Sequence, residues 1–319
     1  MRFSPGIYEH AAAVIGRTPR EVSRDAKLLT EAHGTAWERY GHPLIVVGID
    51  VYNVEAEAYG ALVSAPAGNE VPSITQPLVT EIDHLAMLSP LQPLAHERIR
   101  GVLAAGKALA ERCPGAEVRI PVCGPFAVAI GLVGLDALLM ATVEDPDGLS
   151  AALKHLHDGQ VNCLRAIHAA GLHPIFFESG TCPPLLPAQG FARIEAPLLK
   201  QLFAVSRDLF GEAPPCVIGG DAAPIAKALF EAGPGWVIAP SETDQAAFIE
   251  TALTYPEIHV RVNLPTSLLL ENDPRAREAG ARRAVELARR HPNTSVGCGV
   301  VPYETDPEVL FHLKTIIES

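Results

Sequence analysis

Short apolar segments recur along the chain, and each ends at a glycine, a proline or a polar residue. Continuous apolar segments are typical of strands buried on both faces, as in a parallel sheet. Helical patterns separate them, notably at 147–170, 223–232 and 275–290. This strand–helix alternation, without a large shift in composition, predicts a single (β/α)8 barrel of the TIM type, in the α/β class. The predicted strands are 44–50, 118–125, 174–180, 216–221, 236–241, 259–263 and 295–299.

The chain is predicted to form one domain with an N-terminal extension. Residues 1–42 are expected to be a helical arm, because residues 21–40 carry apolar side chains at helical spacing. Residues 43–319 are expected to form the barrel. An open doubly wound sheet is the alternative, but no GxGxxG motif follows the first predicted strand. The long irregular stretch 65–93 is expected to form a lid or rim.

Charge and composition exclude several kinds of partner. The chain has 37 Asp and Glu against 25 Lys and Arg, a formal net charge of −12. We therefore expect no binding to nucleic acid or to an anionic membrane surface, both of which attract cations. The start of the chain lacks an apolar signal core, and the six cysteines are scattered without a CxxC pair. These features predict a cytoplasmic protein with reduced thiols, and they leave a homo-oligomer open.

Polar residues that follow the predicted strands are the candidates for catalysis, because barrel enzymes work at the carboxyl ends of their strands. Asp50 and Glu178 each end a very apolar strand, and we predict them to be the catalytic acid or base. A turn or cap in which the carboxylate accepts a backbone N–H is the alternative for Glu178. The predicted substrate-binding residues are Asn53, Glu55, Glu57 and Asn263, although carboxylates in 50–57 would also suit a helix N-terminus.

Three residues are predicted as metal ligands, because zinc accepts thiolate and carboxylate groups. Cys298 lies between two glycines at a strand end, where a ligand could approach the backbone closely. Cys182 lies in a turn with two prolines, and a purely structural role is the alternative there. Asp221 follows two glycines at the end of its predicted strand.

Several short motifs, in order and spacing, resemble landmarks of the uroporphyrinogen decarboxylase superfamily. This superfamily includes zinc-dependent methyltransferases that act on methylated corrinoids. The resemblance covers most of the chain and is clearest from residue 118 onward. The motifs are Cys123-Gly124-Pro125-Phe126, Glu144-Asp145-Pro146, Ala169-Ala170-Gly171, Gly219-Gly220-Asp221 with Pro224-Ile225, Asn263-Leu264-Pro265 and Gly297-Cys298-Gly299.

The chain departs from the decarboxylase pattern of this superfamily at its N-terminal side. Those enzymes grip porphyrin carboxylates with an Arg-Gln-Ala-Gly-Arg segment, which this chain lacks. The corresponding region offers Asp50, Glu55 and Glu57 instead. An acidic mouth would repel a substrate with eight carboxylates, by roughly 1 kcal/mol or more for each close pair. Decarboxylation of a porphyrin substrate is therefore not expected.

The chain also departs from the methyltransferase pattern. Those relatives bind zinc through a His-x-Cys pair and a late cysteine. The pair looks like Val217 and Gly219 here, whereas the late cysteine looks like Cys298. A zinc site would therefore need Glu178, Cys182 or Asp221 as replacement ligands.

The resemblance leads to one predicted function and two alternatives. We predict a methyltransferase that moves a methyl group from a corrinoid on a partner protein, or from another donor, to a thiol acceptor with the help of a metal. The first alternative is a metal-free decarboxylase or lyase that acts on a smaller carboxylate, with Glu178 or Asp50 as general acid. The second is a non-catalytic barrel that binds a small molecule.

Overall fold

Eight parallel strands form one sheet that curls into a nearly closed barrel. The computed structural model describes residues 1–271 and 273–319. In chain order the strands are β1 (Phe3–Gly6), β2 (Leu44–Val46), β3 (Leu62–Val63), β4 (Ile74–Gln76), β5 (Glu117–Cys123), β6 (His173–Glu178), β7 (Pro215–Ile218), β8 (Trp236–Ile238), β9 (His259–Leu264) and β10 (Thr294–Val300). The order in the sheet is β1-β10-β9-β8-β7-β6-β5-β2, whereas β3 and β4 form a separate antiparallel pair.

The predicted barrel is confirmed, and all seven predicted segments contain a strand. The structure adds an eighth strand, β1, inside the predicted helical arm, where Phe3 pairs with Val296 of β10. Pro5 lacks a backbone donor, so it fits a strand that pairs along one edge only. The short stretch around this proline has no strand-like periodicity, which is why the sequence pattern does not reveal it. Among the described residues no hydrogen-bonded ladder joins β1 to β2, and the seam of the barrel lies there.

Helices follow most strands and cover the outside of the barrel. Predicted helix 147–170 corresponds to α8, which begins at Pro146 because the Asp145 side chain accepts the Gly148 N–H at 2.9 Å. The helices are α1 (Glu9–Val14), α2 (Pro19–Arg24), α3 (Ala26–Tyr40), α4 (Val54–Tyr59), α5 (Glu97–Arg112), α6 (Pro125–Val133), α7 (Leu135–Glu144), α8 (Pro146–Ala169), α9 (Ala188–Gly190), α10 (Ala196–Phe210), α11 (Ala226–Ala232), α12 (Gln245–Ala252), α13 (Ser267–Leu270), α14 (Pro274–Ala288) and α15 (Pro307–Glu318).

Side chains of β6 show how each strand separates the barrel interior from the helical layer. Phe176 packs against Phe203 of α10, with ring centroids 5.2 Å apart. Phe177 points the other way and meets Tyr52 at the mouth of the barrel, with ring centroids 5.5 Å apart. Because side chains alternate along a strand, Glu178 lies on the same face as Phe176, toward the helices.

The stretch 65–93, expected to form a lid or rim, contributes to the mouth of the barrel. It contains β4 and a 3₁₀ turn, Ile82–Met87, with a second such turn, Pro93–Ala95, at its end. The side-chain amide of Asn53 donates a hydrogen bond to the Pro72 carbonyl at 2.6 Å and so ties this stretch to the end of β2.

No single helix in 1–271 or 273–319 is long and apolar enough to cross a membrane. Only together do helices α6 and α7 have the length and apolar composition of a membrane-spanning helix, and the pair is bent by 116° at the break between them. Most of α6 is buried, as expected for a helix packed on a barrel.

Candidate active site

A cavity of about 440 Å³ opens at the carboxyl ends of the barrel strands. Pockets for small molecules commonly measure about 300–1,000 Å³ and are mostly apolar with a few placed polar groups. Three predicted site residues, Asp50, Asn53 and Asn263, share its wall. The apolar part of the wall includes Ile49, Val51, Phe177, Val217, Ile218 and Ile238, and the polar part includes Glu9, Asp50, Asn53, Glu242, Arg261 and Asn263.

Asp50 is a buried carboxylic acid on the cavity wall, and two neighbours fix its orientation. The Asn53 amide donates a hydrogen bond to Asp50 Oδ2 at 3.0 Å, and the Arg98 guanidinium forms an ion pair with Oδ1. Burial raises the pKa of the Asp50 carboxyl, although the Arg98 cation opposes this shift. The site therefore holds an oriented acid with an increased tendency to carry a proton.

Glu55 and Glu57, predicted to bind substrate, are directed elsewhere. Glu55 accepts a hydrogen bond from the Cys123 N–H at 2.8 Å and so anchors the end of β5. Glu57 forms ion pairs with Arg24 and Arg98 on the outside of the barrel. Burial opposes the effect of these cations, yet together they lower the pKa of Glu57. Neither carboxylate lines the cavity, because α4 turns both away from the mouth.

Glu178, the second predicted catalytic acid, lies between the barrel and the helices and not in the cavity. Its Oε1 accepts the Ala127 N–H at 2.8 Å in the first turn of α6. This is the capping role that the sequence left open for Glu178. A Cβ atom on Gly124 would lie 1.5 Å from Glu178 Oε2, so the glycine of the Gly-Pro-Phe motif makes room for this carboxyl. The alternation along β6 thus turns the Glu178 side chain away from the cavity.

A second buried carboxyl, Glu195, accompanies Glu178. Burial raises the pKa of Glu195 to about 8, and burial together with Glu195 raises the pKa of Glu178 well above its ordinary value. Glu178 Oε2 and both Glu195 oxygens accept no other hydrogen bond within the described part of the chain. Both carboxyls therefore favour their protonated forms at neutral pH, which neither the strand pattern nor the helix pattern of the sequence reveals.

The three predicted metal ligands are not brought together. Cys298 is fully buried, and it does not line the cavity, whereas the next residue, Gly299, does. Asp221 caps a turn, where its Oδ1 accepts the N–H groups of Ala223 at 3.2 Å and Asp244 at 3.1 Å. Cys182 is buried in the neighbouring loop, and burial raises its thiol pKa to about 12. In residues 1–271 and 273–319 no three His, Cys, Asp or Glu side chains are placed to hold a metal ion.

The chemistry of the cavity wall therefore does not fit a zinc ion. The positions that look like the superfamily's His-x-Cys pair hold Val217 and Gly219, and both line the cavity without offering a donor side chain. Burial raises the thiol pKa of Cys298 to about 12, and the side chain does not line the cavity.

Arg261 of β9 is a cavity residue that the sequence reasoning missed. It is 95% buried, as its relative exposure is 5%, and its Nη1 donates a hydrogen bond to the Ser4 carbonyl at 3.0 Å. Within the described ranges it forms no ion pair with a carboxylate, and its Nε donates no hydrogen bond. The available signal was a charged residue in the middle of the apolar segment His259-Val260-Arg261-Val262-Asn263.

Glu9, at the start of α1, is a second cavity residue that the sequence did not suggest. Burial raises its pKa to about 7, and the nearby Glu304 adds to the shift. A carboxyl of this kind gains and loses a proton near neutral pH. Glu9 belongs to the predicted helical arm. This arm reaches the cavity because β1, which precedes Glu9, pairs with β10 of the barrel.

Asn263, predicted to bind substrate, has a free acceptor in the cavity. Its amide nitrogen donates to the Ala239 carbonyl, and its backbone N–H donates to the Gln245 side chain at 2.6 Å. Its Oδ1 is buried and accepts no hydrogen bond from the described residues. The carbonyl oxygen is therefore an acceptor without a partner among the described residues, on a side chain of the cavity wall.

This barrel, with a mainly apolar cavity that holds a few polar groups at the carboxyl ends of its strands, has the architecture of a TIM-type protein. The fold is similar to that of a solved structure, a methyltransferase from Methanosarcina mazei, with a TM-score of 0.83 at 19% sequence identity, over 99% of this chain and 94% of that chain. The family model for uroporphyrinogen decarboxylase (URO-D) matches residues 6–319, so the chain belongs to this family. No curated protein sequence matches it.

Proposed function

We propose that this protein is an enzyme of the decarboxylase or lyase type that acts on a small carboxylate in the barrel cavity, with Asp50 as general acid. The observation that carries the proposal is the buried, oriented Asp50 carboxyl on the cavity wall. Membership of the uroporphyrinogen decarboxylase family supports this class of chemistry. The volume of about 440 Å³ supports a small substrate.

The proposed step uses the proton of Asp50. The bond between the substrate carbon and its carboxylate breaks, CO₂ leaves, and the electron pair stays on the carbon. The proton of Asp50 then forms the new C–H bond, and the acid regains a proton from solvent. The raised pKa of Asp50 favours the protonated form that this step needs. Asn53 and Arg98 hold the carboxyl in one orientation during the transfer.

The proposal is tested by following CO₂ release from a panel of small mono- and dicarboxylates, in D₂O for the compounds that react. We expect the wild-type product to carry deuterium at the protonated carbon. Asp50→Asn should reduce kcat by about 10²- to 10⁴-fold, the usual contribution of general acid catalysis. Asp136→Asn, an exposed aspartate in the first turn of α7, is the matched control. Full turnover by Asp50→Asn would refute the assignment.

Methyl transfer is the second candidate, because the structural neighbour from Methanosarcina mazei is named a methyltransferase. In that case a corrinoid on a partner protein is the methyl donor, and a thiol compound in the cavity is the acceptor. The donor groups around the cavity do not fit a resident zinc ion, so the acceptor would have to be activated by another group. Glu9 is the candidate base, since its pKa is about 7.

The two functions are separated by supplying a methylated corrinoid and a simple thiol, such as 2-mercaptoethanol, to the purified protein. Demethylation of the corrinoid, seen in its absorption spectrum, would favour methyl transfer. Decarboxylation without any methyl transfer would exclude this second candidate.

A further inference from the structure

The strongest unassigned feature of the cavity is the cation of Arg261. An arginine is rarely buried to this extent without a carboxylate partner, because removing its charge from water costs several kcal/mol. Within the described residues its guanidinium makes one hydrogen bond, from Nη1 to the Ser4 carbonyl, so most of its N–H donors have no partner, and the side chain lines the cavity.

The groups around Arg261 do not neutralise its charge. The titratable neighbours that affect it are Tyr8 and Cys298. Burial raises the pKa of each of them to about 12, so both are uncharged at neutral pH. Arg261 therefore carries a positive charge that none of the described residues pairs, in a cavity wall that also holds the carboxyls of Glu9, Asp50 and Glu242.

The barrel makes room for this side chain on the neighbouring strand. A Cβ atom on Gly297 would lie 2.8 Å from Arg261 Cδ and 2.1 Å from the Ser4 carbonyl oxygen. Gly297, one of the two glycines that the sequence suggests for a metal or ligand, thus makes room for the arginine and for the close approach of β1. The position of the Arg261 side chain is set by the backbone of β10 at Gly297 and of β1 at Ser4.

We propose that Arg261 is the binding site for a carboxylate group of the substrate, one that is retained in the reaction. This inference rests on the proposed function and adds the substrate class, a small dicarboxylate with an apolar body. A guanidinium bound to the leaving carboxylate would stabilise the ground state and slow the loss of CO₂. Arg261 therefore holds the other carboxylate, and the apolar wall receives the one that leaves.

Isothermal titration calorimetry with glutarate as the probe, at constant ionic strength, tests the site directly. We expect wild-type protein to bind glutarate and Arg261→Gln to bind it roughly 10- to 100-fold more weakly, the loss expected for charge-assisted hydrogen bonds. Arg261→Lys keeps the charge without the planar fork and should give an intermediate affinity. Arg165→Gln, an exposed arginine of α8, is the control with the same change in charge and should bind like the wild type.

Several results would overturn the inference. Unchanged glutarate binding by Arg261→Gln would do so, as would equal losses in Arg261→Gln and Arg165→Gln. Arg261-dependent binding of methanesulfonate or inorganic phosphate, without binding of glutarate, would assign the site to another anion and also overturn it. Far-ultraviolet circular dichroism and thermal melting show whether each variant is folded.

The anion site and the proposed function are tested by different measurements, glutarate binding and turnover, so each proposal can fail without the other. Loss of glutarate binding in Arg261→Gln, together with full turnover by Asp50→Asn, would refute the proposed function and leave the anion site in place. Unchanged glutarate binding by Arg261→Gln, together with a loss of turnover in Asp50→Asn, would support Asp50 as the acid and overturn the anion site.

Discussion

The carboxyl pair Glu178–Glu195 makes the stability of this protein fall as pH rises. A carboxyl whose pKa is higher in the folded state holds its proton more tightly there. Its contribution to stability is complete below the unfolded pKa and is lost as pH rises through the folded pKa. For Glu195 the shift from 4.5 to about 8 corresponds to at most about 5 kcal/mol of unfolding free energy, lost between these pH values. Domains are commonly stable by only 5–15 kcal/mol, so the loss is measurable.

The variant Glu195→Gln replaces the titrating carboxyl beside Glu178 by a permanent amide donor. We expect the unfolding free energy, measured by urea denaturation from pH 5 to pH 9, to fall much less steeply in this variant than in the wild type. At pH 9 the variant should be more stable than the wild type by about 2 kcal/mol, the value of a hydrogen bond to a charged group. Glu111→Gln, at an exposed position of α5, should keep the wild-type pH dependence. Equal pH slopes in wild type and Glu195→Gln would refute the raised pKa of Glu195.

Three further substitutions test other parts of the structure. Gly124→Ala should destabilise the fold by about 1–3 kcal/mol or more, measured by urea denaturation, because its Cβ would displace the Glu178 carboxyl. Arg98→Gln should raise the pKa of Asp50 further, because the cation that opposes the effect of burial is lost, and the pH profile of kcat should shift to higher pH. Cys298→Ser should leave turnover and metal content unchanged; a loss of bound metal would restore the predicted metal site.

The fold was accessible from the sequence because it depends on repeated patterns. Seven buried strands could be predicted because each is a continuous apolar segment. Helix α8 begins at the position that Asp145 and Pro146 predict. The strand β1 could not be predicted, because its four residues around a proline show no alternation of apolar and polar side chains. They form a strand only because they pair with β10. Such pairing between distant segments leaves no local signal in the chain.

The site was only partly accessible, because proximity to a strand end does not fix the direction of a side chain. Asp50 and Asn263 face the cavity as predicted, whereas Glu178 and Cys298 do not, since a shift of one residue reverses the face. Arg261 was not predicted, because it lies within an apolar segment of the sequence. Its burial without a counter-charge, which only the structure shows, identifies it as a candidate binding residue.

The pairing of β1 with β10 has a consequence for how the chain acquires its shape during synthesis. β1 leaves the ribosome long before its partner β10, since Phe3 pairs with Val296 and its N–H donates to Glu318 of α15 at 3.1 Å. Until then its edge and the neighbouring apolar surface stay exposed to chaperones and to other nascent chains. A pause in translation late in the message would therefore prolong the most vulnerable stage of this protein.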